Sequence, residues 1–249
     1  AFMSNRYRII DNAQVAETVL PILGEQMADG KLSIVSAQVT ERKFYLKVVY
    51  PKIEREIEGS KTRGDIVRAG AVYTNSETGE GSFAVSEFVE RLACVNGMRI
   101  AETIRQHHAG RASDSLGEIL ADDTKEADDR ALLLKVRDMT RASLNVERFE
   151  KRVEQMSATT QREIKVEPVD VVEVAAKSFD LSKSEQGSVL QHLLTGGDMS
   201  QWGVINAVTR TAEDVESYDR ATELERLGGK ILELTPKQWD SVATAKRVA

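Results

Sequence analysis

Residues 32–50 read LSIVSAQVTERKFYLKVVY and residues 64–85 read GDIVRAGAVYTNSETGEGSFAV. Val, Ile, Phe and Tyr fill the runs 32–39, 43–51 and 65–76, and a fourth short run, GSFAV, follows the turn-like ETGEG. β-branched and aromatic residues favour a pleated, half-buried surface, so these runs predict strands. The connections are too short for crossover helices, which predicts an antiparallel sheet.

Working outward, residues 13–29 place Val15, Val19, Ile22 and Leu23 at helical spacings before Gly30, a first helix with Pro21 inside it. Downstream, SEFVERLACVNGMRIAE at 86–102 offers Ser86 as an N-cap and Phe88, Leu92 and Val95 as one stripe ending near Gly97. That pattern predicts a helix with Cys94 as a small buried hydrophobe. Beyond Gly110 the aromatic and β-branched clusters thin out. A long helix is expected over 125–158, then shorter ones near 168–178, 183–194, 200–210 and 213–230. Ser182 and Glu185 form a capping-box pattern, and Gly196–Gly197 and Gly228–Gly229 serve as punctuation. The expected fold class is α+β, an antiparallel sheet packed with helices at 1–111, followed by a mainly helical portion at 112–249 packed on it.

The 249 residues carry 34 basic and 40 acidic side chains, a formal charge of -6, which argues against uniform coating by a polyanion. The charge is uneven along the chain. Residues 42–68 hold 8 basic groups against 4 acidic, whereas residues 166–249 hold 9 against 14. On the strand ERKFYLKVVYPK, period-two alternation puts Lys43, Tyr45 and Lys47 on one face, a basic-aromatic stripe that suits phosphates and stacked bases. Lys52, Arg55, Arg63 and Arg68 extend the same basic stretch, and Arg91, Arg99, Arg105 and Arg111 form a second one beside His107-His108. The ordinary reading of such a stripe is a solvated sheet face, and that of the second arginine group is capping of a helix C-terminus.

Other chemistries find little purchase. No GxxxxGK[ST] or GxGxxG pattern supports ATP or NAD, so no cofactor is expected. HxH, HExxH and Cys/His pairs are absent, and Asp122-Asp123 and Asp128-Asp129 read better as a helix start than as a Mg²⁺ site. Ser86 and Ser113 lack recognisable triad partners, and Asn206, set among apolar positions, is expected to hydrogen-bond at a helix junction. One cysteine gives no internal disulfide, and no apolar run reaches the roughly 20 residues of a membrane span, so a cytoplasmic protein without membrane attachment is expected.

Three segments resemble a known family: TNSETG at 74–79, LACVNGM at 92–98, and NAVTR followed by ELERLGG at 206–229. Together they are similar to the phage- and plasmid-associated family called the domain of unknown function 932, over roughly residues 30–232. That resemblance implies no established activity. The order of hairpin sheet and helix is also similar to Rad52-like single-strand annealing proteins. This second resemblance implies an oligomer that holds single-stranded DNA and anneals strands without ATP or a catalytic residue. Lys43, Lys47, Lys52, Arg55, Arg63, Arg68, Arg91 and Arg99 are then candidates for the backbone, and Tyr45 for a base. The alternatives are a scaffold domain of a mobile element and a metal-dependent nuclease.

Overall fold

The computed structural model describes residues 11–78, 83–94, 96–106, 122–141 and 145–245. The element order is α1 (Asn12–Ala28), β1 (Ser33–Val39), β2 (Phe44–Glu56), β3 (Ile66–Asn75), β4 (Phe83–Arg91) and β5 (Asn96–Gln106). The helices α2 (Asp122–Arg141), α3 (Val146–Thr159), α4 (Pro168–Phe179), α5 (Lys183–Gly196), α6 (Gln201–Thr211), α7 (Tyr218–Leu232) and α8 (Pro236–Ala243) follow. The strands form a five-stranded sheet in the order β1-β2-β3-β4-β5, with β1 antiparallel to β2. The α+β class and the antiparallel sheet followed by helices match the sequence expectation.

Three expectations need correction. Residues 86–102 do not form a helix; they make the end of β4, a turn, and β5. Of the expected stripe only Phe88 lies on β4, Leu92 falls in the turn and Val95 lies outside the described residues; β4 is buried on both faces, so its apolar residues do not alternate as in a one-sided strand. The segment 125–158 is likewise two helices, α2 and α3, not one. Gly228 and Gly229 do not punctuate; they lie inside α7 and are buried.

The chain divides into two compact units, each assembled from three stretches, and the expected boundary near residue 111 lies outside the described residues. The first unit comprises residues 1–52, 70–87 and 102–145. Val15, Val19 and Leu23 of α1, Val136 and Met139 of α2, and the buried run 44–50 of β2 supply its core. The TNSE motif does structural work here. The Glu77 carboxylate accepts the Asn12 backbone N–H at 2.6 Å, where a helix N-terminus leaves donors open, and Asp11 caps the next one. Asn75 Nδ2 donates to Asn12 Oδ1 at 2.9 Å, and Ser76 Oγ to the Arg42 carbonyl at 2.8 Å.

The second unit comprises residues 53–69, 88–101 and 146–249. Its helices pack α5 on α6 and α6 on α7, around Trp202, Ile205, Leu193 and Leu224. The Ser182–Glu185 capping box forms as expected.

Candidate functional site

The second unit contains a cleft of about 60 Å³ lined by Arg91, Cys94, Asp198, Asn206 and Arg210, among others. Three local features create it. The turn after β2 begins at Ile57, whose N–H bonds the Asp65 carbonyl at 2.8 Å, and it is anchored on α3 where Glu58 N–H meets Ser157 Oγ at 3.1 Å. Gly59 permits that anchorage: φ is +76°, and a Cβ there would stand 2.6 Å from Thr160 Oγ1. The turn ends at Asp65, which is completely buried.

Asp65 organises the floor. Its carboxylate takes two bonds from the Arg91 guanidinium, 2.6 Å from Nε and 2.9 Å from Nη2, and accepts from Ser60 Oγ at 2.6 Å and Trp202 Nε1 at 3.0 Å. A fork of this kind is the geometry that repays desolvation of a buried pair. Arg91 also lies 5.9 Å from the Trp202 ring centroid and donates to Thr62 Oγ1 at 3.1 Å. Its Nη1 donates to Cys94 Sγ at 3.2 Å, and Arg210 Nη1 approaches the same sulfur at 3.8 Å. Cys94 is therefore not a buried hydrophobe on a helix but a half-exposed turn residue that gathers two guanidinium groups.

Two of the three segments quoted for the family resemblance, 92–98 and 206–229, meet beside the cleft. Asn96 Nδ2 donates to Thr209 Oγ1 at 2.6 Å and to Asn206 Oδ1 at 3.3 Å, while Asn206 Nδ2 bonds the Trp202 carbonyl at 2.8 Å. Asn206 therefore ties α6 to β5 and to its own preceding turn, and not one helix to another as the sequence led us to expect. Gly97 faces the Phe88 ring, where a Cβ would stand 2.3 Å from Cε2, and a Cβ on Gly229 would lie 2.2 Å from the Arg99 carbonyl oxygen. Residues 97–99 of β5 and Gly228 and Gly229 of α7 are the two sides of one close helix-strand contact.

Asp198 closes the cleft. The residue is 8% exposed, and its buried Oδ1 has no hydrogen-bond partner. Burial pushes its carboxyl above the ordinary value, against the opposing pull of a Ser200 hydrogen bond and of Lys61 and Arg91. His192, also on the lining, bonds Asp214 Oδ2 through Nε2 at 2.7 Å.

The candidates for nucleic-acid contact are dispersed. Tyr45 and Lys47 are 3% and 5% exposed, because residues 44–50 of β2 are buried on both faces; the expected open stripe is not there. Arg91 and Arg99 are each 7% exposed, and both sit on strands, not at a helix end. Arg68 pairs with Glu54 and Glu90, and Arg55 with Glu150. Lys43 is half-buried, whereas Lys52 and Arg63 are exposed. Arg111 and His107-His108 lie outside the described residues, as do the side chains of Arg105, Asp122, Asp128 and Asp129. Among the described residues no group of three or more His, Cys, Asp or Glu could hold a metal ion, and no helix is long and apolar enough to cross a membrane.

Asp65, Thr62, Trp202, Asp198 and Arg210 were not singled out as site residues by sequence reasoning. The one available signal was Asp65 itself, a lone carboxylate opening an apolar strand, which asks for a buried cation as partner.

The profile of the family described as Domain of unknown function (DUF932) matches residues 1–230. Neither a curated protein nor a solved structure matches the chain.

Proposed function

We propose that this chain, which belongs to the DUF932 family, binds single-stranded DNA through its phosphates and serves strand annealing without ATP. The observation that carries the reading is the turn between β2 and β3. Lys61 and Arg63 are exposed on it and form no ion pair among the described residues, while its backbone is held by Asp65 and α3. Cations on a fixed turn lose little entropy on meeting a phosphate, and such contacts do not depend on base sequence. Tyr45 plays no stacking part in this reading, since its ring is buried. Annealing by a Rad52-like assembly of several copies is the finer form of the proposal, and it rests on element order alone.

Fluorescence anisotropy with a labelled single-stranded oligonucleotide tests it. Binding is expected to fall steeply with added salt and to drop at least tenfold in the Lys61→Glu/Arg63→Glu double variant. Absence of binding at low salt, or equal binding by the variant, rejects it. Annealing is read separately, as faster pairing of complementary oligonucleotides without nucleotide.

A further inference from the structure

We infer that β1 pairs along its outer edge with β1 of a second copy, the two strands running antiparallel about a two-fold axis at Gln38, so that the chain closes as a dimer through a continued sheet. The inference is independent of DNA binding.

Strand β1 stands at the end of the strand order and is exposed along nearly all of its length, with Ile34 at 39%, Val35 at 45% and Val39 at 67%. Edge strands of soluble proteins usually carry lysine, proline or inward-pointing charge that blocks pairing with another chain. Ser33–Val39 reads SIVSAQV, with no charge and no proline. Its one irregularity is a bulge: Ile34 pairs with Val48 but Ser36 with Lys47, so Val35 is one residue in excess of β2.

The direction of the backbone groups follows from the turn after the strand. Thr40 N–H bonds the Lys43 carbonyl at 2.8 Å, so Thr40 faces β2. Antiparallel strands alternate hydrogen-bonded and non-hydrogen-bonded pairs, so Gln38 and Ser36, opposite Tyr45 and Lys47, also turn N–H and C=O toward β2. Ala37 and Val39 turn theirs outward. The edge open to pairing is thus 36–40, bounded by the bulge at Val35 and by the turn at Glu41.

These bounds choose the partner. A two-fold axis at Gln38 sets Ala37 of each copy opposite Val39 of the other, and each such pair exchanges both N–H···O=C bonds. Every outward group of 36–40 then finds its match and none is left over, because the second copy is limited by the same bulge and the same turn. Side chains agree: the largely exposed Val39 packs beside Ala37 of the second copy, and on the opposite face Gln38 meets Gln38, amide to amide. So does charge. The chain carries -6, yet Asp29 with Lys31 before the strand, and Glu41 with Arg42 after it, each sum to zero, so two copies meet at a neutral edge. A nucleic acid or a strongly charged peptide finds no excess of counter-charge there.

Sedimentation velocity of the whole chain over a concentration series, with disulfide mapping of the register, is the test. A monomer–dimer equilibrium is expected. Val39→Pro removes an outward N–H and leaves the ladder to β2 intact, while Val39→Lys sets a solvated charge into the pairing. Each should weaken dimerisation tenfold or more, with the thermal unfolding midpoint of the diluted chain unchanged. In a Cys94→Ser background, Gln38→Cys should oxidise to a linked dimer at least tenfold faster than Ser33→Cys. The axis brings the two residues 38 together as a non-hydrogen-bonded pair, Cα atoms about 4.5 Å apart and within disulfide reach, and holds the two residues 33 at opposite ends of the ladder. A chain that stays monomeric at the highest concentration it tolerates, a dimer indifferent to both Val39 variants, or equal linkage at positions 33 and 38 overturns the inference. A dimer lost in Leu20→Glu or Met27→Glu but kept in Val39→Lys puts the contact on the exposed side chains of α1 and overturns it as well.

Discussion

Two buried charges show how much a single residue here depends on its partner. Asp65 is fully buried and holds Arg91, itself 7% exposed, together with the Trp202 N–H. Asp65→Asn keeps the shape and an acceptor for Trp202 but strands the guanidinium without a counter-charge, which should cost about 3–5 kcal/mol in urea unfolding. A paired replacement, Asp65→Leu with Arg91→Met, should recover more than half of that loss, because apolar groups of similar volume need no counter-charge. Glu185 offers the matching pH experiment. Hydrogen bonds from Arg220, and then from the Ser182 backbone, lower its pKa from 4.5 to about 2 against the opposing effect of burial. A depressed folded-state value stabilises the fold above the unfolded-state pKa, and the contribution fades as pH falls from about 4.5 toward 2. Gln at this position retains the capping bond to Ser182 but not the charge. Glu185→Gln should therefore lose about 2 kcal/mol at pH 7, discounted for the partly exposed Arg220, and the gap to the unmodified chain should narrow in denaturant titrations at pH 3.

Among the elements, the glycines of two helices make opposite predictions from the same substitution. Gly187 lies exposed in the interior of α5, and a Cβ there meets nothing within 4 Å, so Gly187→Ala should raise stability by about 0.5–1 kcal/mol through helix propensity. Gly229 lies inside α7 with the Arg99 carbonyl 2.2 Å from where a Cβ would stand, so Gly229→Ala must push α7 off β5 and should destabilise by about 1–3 kcal/mol. Thermal unfolding of the two variants reads the sign directly. The same contact marks the limit of what the sequence disclosed. Helices α1 and α5 were legible, the first from Val15, Val19 and Leu23 at helical spacing before Gly30 and the second from its Ser182–Glu185 capping box. The β4–β5 hairpin was not legible, since a strand buried on both faces loses the period-two alternation that separates it from a helix. The same loss hid the burial of Tyr45 and Lys47. The cleft was least legible of all: Thr62, Asp65, Cys94, Asp198 and Arg210 lie as much as 148 positions apart in sequence (62 to 210), and no spacing rule links them.

For the whole molecule, the formal charge of -6 and the +4 of residues 42–68 set the terms on which a polyanion could bind. Each phosphate neutralised on a single strand contributes about -0.7 to the slope of log K against log salt. Arg55 and Arg68 are already paired with Glu150, Glu54 and Glu90, and recruiting them means breaking those pairs. Lys61 and Arg63 carry no such obligation among the described residues, so the slope expected per copy is about -1.4, not the roughly -2.8 that four freely acting cations would give. Lys61→Gln/Arg63→Gln should flatten it to near zero while leaving the unfolding midpoint unchanged, since both side chains are exposed. Duplex DNA concentrates charge more densely, about one per 1.7 Å of axis, and repels the acidic remainder of the chain more strongly. By the same rule two contacts give a slope of about -1.8 on a duplex, so any preference for single strands should narrow as salt is lowered from 200 mM to 50 mM, provided the contact is local to this turn. A slope near -2.8 that survives the double substitution would place the contact on other cations of the chain and remove the turn from the interface.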